Sequence, residues 1–252
     1  MSRKGTDRFQ QVGVDRLIRL EWLERTALLV LAGTDSVTIK LRLQNDLKAF
    51  FRSQDPNVRG SIDKTITILN KVWLRVPVGL EALRDDGLNL LGKIPPSEHI
   101  AVHWGMVMAV YPFWAGVAAQ TGRLLDLQGS AAANHIQRRM QERFGERETV
   151  SRRTRYVLRS FVDWNVLVEA EEPGVYRSTA TLSVSNSQLV MWLVEAYLHT
   201  KPNCNAALSS VIGHPSLFPF YLKGVVKSMA GNCDRVEIVR HGLDEDVVSL
   251  RK

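Results

Sequence analysis

Between Arg138 and Arg159 the sequence places eight arginines (Arg138, Arg139, Arg143, Arg147, Arg152, Arg153, Arg155, Arg159) against three glutamates, a local +5 within a chain total of +7. Guanidinium groups at that density suit phosphate neutralisation, and arginine's planar fork also matches the acceptor pair on the guanine edge. The competing use of the same residues is a solvated face on which Glu142, Glu146 and Glu148 pair with the arginines along a helix. Other chemistry is sparse. The chain has no glycine-rich phosphate loop, no dinucleotide fingerprint and no nucleophile elbow. His99 and His103 stand four apart on a predicted helix, a spacing that lets two imidazoles face one metal, yet no glutamate occupies the position a zinc hydrolase needs and no third ligand is in view. Ordinary histidines, no metal and no other cofactor are therefore expected. Asp85-Asp86 and Asp244-Glu245-Asp246 fall in turns, where solvation accounts for them. A nuclease would need acids gathered with a lysine around a metal, and no local spacing supplies that, so no enzyme activity is expected.

The elements that must position the arginines are two helices and a hairpin. Ser130 is a cap for a helix through Phe144, with Ile136, Met140 and Phe144 as its apolar stripe and Gly145 as its stop. A turn over Glu146 to Val150 leads to Ser151, a second cap, and a helix to about Trp164. Counting about 100° per residue from Ser151, the residues Val157, Leu158, Phe161 and Trp164 gather in a sector of roughly 120°, and Arg152, Arg155 and Arg159 gather opposite. One face is to be buried and one cationic face shown, as a helix in the major groove of DNA requires. Asn165 to Ala170 then reads as a strand, Glu172-Pro173-Gly174 as a turn, and Val175 to Val184 as an alternating strand. Tyr176, Ala180, Leu182 and Val184 are predicted to face inward, and Arg177, Thr179, Thr181 and Ser183 outward.

Helix, turn, helix and hairpin in this order resemble the winged helix-turn-helix family of DNA-binding domains, over roughly a fifth of the chain. The resemblance implies non-enzymatic binding of double-stranded DNA. Arg152, Arg153, Arg155 and Arg159 would lie in or beside the major groove with Tyr156 at the edge, and Arg152 and Arg155 would read bases. Arg138, Arg139 and Arg143 would meet backbone phosphates, and Arg177 would add a contact from the wing. Glu169, Glu171 and Glu172 at the wing tip would repel phosphates, so the tip itself is expected to stay off the DNA. A bacterial transcriptional regulator is the plain version; the alternative is a DNA-binding or scaffolding subunit of a multi-protein bacterial system, such as phage defence, whose partners perform the chemistry.

The remaining sequence is that of an ordinary globular chain of 252 residues, 45% hydrophobic and 23% charged. Its start, Met1 to Asp15, lacks the apolar segment of a signal peptide, and Cys204 and Cys233 stand apart without metal-ligand spacing, so a cytoplasmic protein is expected. Helices are predicted over Asp7 to Ala32, Ser36 to Phe51 (Val37, Leu41, Leu47 and Phe50 buried), from a Ser61 cap to Pro77 (Ile62, Ile66, Leu69 and Trp73 buried), and Gly79 to Leu91. The run Ala27 to Ala32 is apolar all round and is expected to be covered, by the core or by a second subunit in a homodimer. Ile94-Pro95-Pro96 marks a boundary. Trp104 to Ala119 carries no charge, but it is short for a bilayer and holds Pro112, so a kinked core helix is predicted and no membrane partner; in the resemblance this is the first helix, with Leu124 to Leu127 as the strand beside the wing. A helix capped by Ser185 or Ser187 runs to about His199, and the tail from Arg235 to Leu250 reads as a hairpin. The predicted fold is mainly α: a helical N-terminal domain over 1–93, a winged-helix domain over 97–184 with a small β-hairpin wing, and a helical C-terminal extension over 185–252.

Overall fold

The computed structural model describes residues 8–51, 58–222, 235–241 and 245–251; Cys233, Asp55-Pro56-Asn57 and Asp244 lie outside them. Sixty-one per cent of these residues are helical, with three small sheets. The central element is α5 (His99–Val110), every residue of which is buried. Its uncharged sequence offers apolar surface all round, and it is packed by α1 (Leu20–Leu31), α3 (Val58–Trp73), α4 (Glu81–Leu91), α6 (Pro112–Gln128) and α9 (Ser187–Leu198). Where α9 crosses it, a β-carbon on Gly105 would meet the Trp192 ring at 2.5 Å, so only glycine permits this approach. The Trp192 indole N–H donates to the Leu83 carbonyl at 2.9 Å, tying α4 to the same crossing.

The uncharged run does not form one kinked helix. It breaks at Tyr111 into α5 and α6, which diverge by 118°. Pro112 lacks an amide hydrogen and fits the first turn of a new helix better than the interior of an old one. Among the described residues no single helix is long and apolar enough to cross a membrane.

The stretch from Asp7 to Ala32, which reads as one helix or two, holds less helix than its apolar pattern suggests. After a 3-10 turn at Arg8–Gln10 the chain runs without regular helix to Arg19, and only Leu20–Leu31 is α-helical. Leu28 and Leu31 remain 44% exposed, so the end of α1 is covered on one side only. In α2 (Ser36–Lys48), capped by Asp35, the buried residues are Ile39, Leu43 and Leu47, while Val37, Leu41 and the following Phe50 are exposed. In α3 the stripe Ile62, Ile66, Leu69 and Trp73 is buried as read, but the helix already begins at Val58, so Ser61 lies inside it. Asn186, and neither serine beside it, caps α9 through the amides of Gln188 and Leu189.

The C-terminal strands β7 (Val236–His241) and β8 (Glu245–Leu250) pair antiparallel, and β5 (Asn205–Ala207) adds to the other side of β8. Arg235, just before β7, fastens this sheet to the body. It donates to both carboxylate oxygens of buried Glu195, at 2.8 and 3.1 Å, and to Asp86. Burial opposes ionisation of Glu195, but hydrogen bonds from His199 and Arg235 outweigh it and hold the carboxyl below its ordinary range.

Candidate nucleic-acid interface

The arginine-rich segment forms two helices, α7 (Ala133–Phe144) and α8 (Glu148–Asp163), joined through Gly145 in a positive-φ conformation. Three short strands accompany them: β1 (Ala131–Ala132), β2 (Leu167–Glu169) and β3 (Val175–Ser178), in the order β1-β3-β2 and antiparallel throughout. α6 packs against α7 and α8. Several local readings change. Ser130 caps nothing, because Ala131 and Ala132 pair with β3 and delay the helix to Ala133, whose amide bonds the Gly174 carbonyl at 2.8 Å. The hairpin turn thus does the work of a cap. Ser151 lies inside α8, which starts three residues earlier with Glu148, a carboxylate suited to the positive helix end. Leu124 to Leu127 belong to α6, and β1 takes the place of the strand predicted there. The run from Val175 to Val184 is two strands: β3 ends at Ser178, and β4 (Leu182–Val184) pairs in parallel with β6 (Phe220–Leu222) in a separate sheet. Val184 is buried, Tyr176 and Leu182 are half-buried, and Ala180 is exposed.

The faces of α8 are sharply divided. Val150, Thr154, Val157, Leu158, Ser160 and Phe161 are buried, as is Trp164 just beyond, whereas Arg152, Arg155 and Arg159 are exposed. Tyr156 sits half-buried at the edge of the cationic face. Glu148 lies within that face and approaches Arg152 Nη1 at 3.5 Å and Arg155 Nη2 at 3.6 Å. Arg153 turns aside toward a recess of about 440 Å³ that it shares with Gln10, Gln11 and Arg147. On α7, Arg138 and Arg139 are well exposed and both pair with Glu142, at 3.3 and 3.0 Å. Arg143 is exposed too, and lies over the Phe144 ring and beside Gly116 of α6; burial, and after it the charge of Arg143, lowers the pKa of the Lys201 ammonium. Arg177 projects exposed from β3 opposite Val168. At the wing tip Glu169 accepts the Gly174 amide at 2.8 Å and so closes the turn, while Glu171 and Glu172 are exposed.

A second feature has no signature in the local sequence. The chain entering α1 grips the C-terminal end of α8 through four hydrogen bonds: Ile18 N–H to Ser160 Oγ at 3.0 Å, Arg19 to Asp163 at 3.0 Å, Leu20 N–H to Asp163 at 3.3 Å, and the Trp164 indole to the Ile18 carbonyl at 2.9 Å. Burial pushes the Asp163 carboxyl up, only partly offset by Arg19 and the Leu20 amide. The same helix α1 carries Glu24, whose two oxygens face His99 Nδ1 at 2.9 Å and His103 Nε2 at 2.7 Å. The four-residue histidine spacing therefore serves a shared carboxylate that joins α1 to α5. Among the described residues no three histidine, cysteine or acidic side chains are grouped so as to hold a metal. Compared with family models, curated proteins and solved structures, the chain matches none of them.

Proposed function

We propose that the protein binds double-stranded DNA without catalysing a reaction on it, with α8 as the recognition helix of a winged helix-turn-helix. The observation that carries this reading is the exposed trio Arg152, Arg155 and Arg159 on a helix whose opposite face is wholly buried. Supporting it, α7, α8 and the β2–β3 hairpin follow one another in the order helix, turn, helix and hairpin, and β1 pairs beside the hairpin. Glu148 and Glu142 do not oppose it. Exposed ion pairs contribute about 0–1 kcal/mol, so phosphates can replace these carboxylates as partners. The plain biological version is a bacterial transcriptional regulator. The second reading, a DNA-holding subunit of a larger bacterial assembly, is favoured by the exposed apolar side chains Leu28, Leu31, Val37 and Leu41 on α1 and α2.

The test is a fluorescence-anisotropy titration with a random-sequence duplex of about 30 base pairs at several salt concentrations, where neutralising about five phosphates gives a log–log slope near −4 to −5. Replacing Arg152, Arg155 and Arg159 together by alanine is expected to remove about three units of that slope with an unchanged thermal melt, since none of the three supports the core. Undiminished affinity in the triple variant would overturn the assignment of α8.

A further inference from the structure

A group of basic side chains gathers around one tyrosine at a seam of α6, α7 and the end of α9. The seam is closed by a 3-10 turn, Pro215–Leu217, that lies against α6 at Gly122, where a β-carbon would overlap the Pro215 carbonyl. That contact brings together the neighbours of its two residues, Arg123 and His214. From α9, the ring of buried Tyr197 packs 4.6 Å from that of His214, and the Lys201 ammonium lies 5.1 Å from the centre of the same ring. Arg143 comes from α7 across Gly116 of α6; its charge bears on Lys201, and those of Lys201 and Arg123 bear on His214. Tyr197, Lys201 and His214 follow the wing in the chain, so the seam is distinct from the arginine face of α8.

These groups are donors without acceptors. Among the described residues no carboxylate pairs with Arg123, Arg143, Lys201 or His214, and every influence on Lys201 and His214 lowers their pKa, burial first and the like charges after it. His214 Nδ1 accepts the Ser216 amide at 3.1 Å, which leaves the hydrogen of the neutral ring on Nε2, a donor with no acceptor. Tyr197 supplies another. It is 2% exposed, and its hydroxyl makes no hydrogen bond although the atom is not sealed from solvent. Buried phenols as a rule have a partner, and this one lies beside an unpaired ammonium and an unpaired imidazole. We infer that the seam binds a phosphate group, with Lys201, Arg123 and Arg143 neutralising its charge while His214 Nε2–H and the Tyr197 hydroxyl donate to its oxygens. A cation would add to the repulsion already present, and a neutral ligand would leave it uncompensated. An oxyanion removes it and accepts from both neutral donors.

The experiment is a titration of the full chain with inorganic phosphate, read from the His214 ring resonances by NMR, with potassium chloride at matched ionic strength as the control. Phosphate is expected to shift the His214 signals saturably, and chloride to leave them in place. K201M is expected to weaken phosphate roughly ten-fold, the loss of one charge-assisted hydrogen bond. R123Q, at an exposed position apart from the core, is expected to weaken it in the same direction. A phosphate response no larger than that to chloride, or titrations of both variants that match wild type, would overturn the proposal. A 30-base-pair duplex then separates the sources of the phosphate group. A salt slope lowered by about one unit in K201M makes the occupant a backbone phosphate of DNA, and an unchanged slope beside weakened phosphate binding makes it a free phosphate compound. The phosphate titration reads the seam whether or not α8 binds DNA.

Discussion

Glu148 is the residue on which the properties of the cationic face turn, since one carboxylate lies against two of its three exposed arginines. E148Q keeps the shape of the side chain and frees both guanidiniums. DNA affinity is expected to rise and the salt slope to steepen by about one unit, at a loss of about 0.3–1 kcal/mol of stability from the missing charge at the helix start; anisotropy and urea melts read the two effects separately. A different residue sets the acid limit. His214 is lowered to about 4 by burial and by the charges of Lys201 and Arg123, and its ring packs 4.6 Å from that of Tyr197. The unfolded chain takes up this proton near the usual histidine value of about 6.5, the folded protein only near 4, so stability is full above the former and is lost as pH falls between the two. His103 is lowered too, by its complete burial, and acts in the same direction. Melting temperature measured across this window is expected to drop, and H214Q to flatten the drop.

At the scale of the element, α8 shows what periodicity can and cannot specify. Its apolar stripe and arginine face were legible because four large residues leave no second way to bury the helix. Phe161 is fully buried against Trp104 and Trp114, so F161A is expected to cost about 3–5 kcal/mol in denaturant melts and to unfold the interface, unlike the arginine changes. In α2 two stripes compete, Val37 with Leu41 and Ile39 with Leu43 and Leu47. Spacing alone favours neither, and α1 and α3 decide for the second. The start of α7 was misread for another reason. Ser130 is a good cap locally, but pairing of Ala131 and Ala132 with β3 recruits backbone from more than forty residues away. Glu148 was visible as a partner for arginine; the Glu24 link between two histidines was not, since its members are 75 and 79 residues apart.

Over the whole molecule, the buried residues form one continuous cluster from Val14 to Val248. Arg235 shows how its last part is secured. R235M would leave Glu195, 2% exposed, without the guanidinium that grips both its oxygens. The expected loss is about 3 kcal/mol, the low end for breaking a buried pair because Arg235 itself reaches solvent, and it is checked by calorimetry against wild type. The four-bond grip of residues 18–20 on the end of α8 bears on how the chain is made as well as on how it stands. Its two halves are 142 to 146 residues apart in the bonds from Ile18. At a ribosomal pace of about 5–20 residues per second, the first half waits roughly 7–30 s before the second exists. The segment before α1 is therefore a clasp that closes only once α8 has been made, and the arginine helix receives its anchor from a part of the nascent chain synthesised well before it.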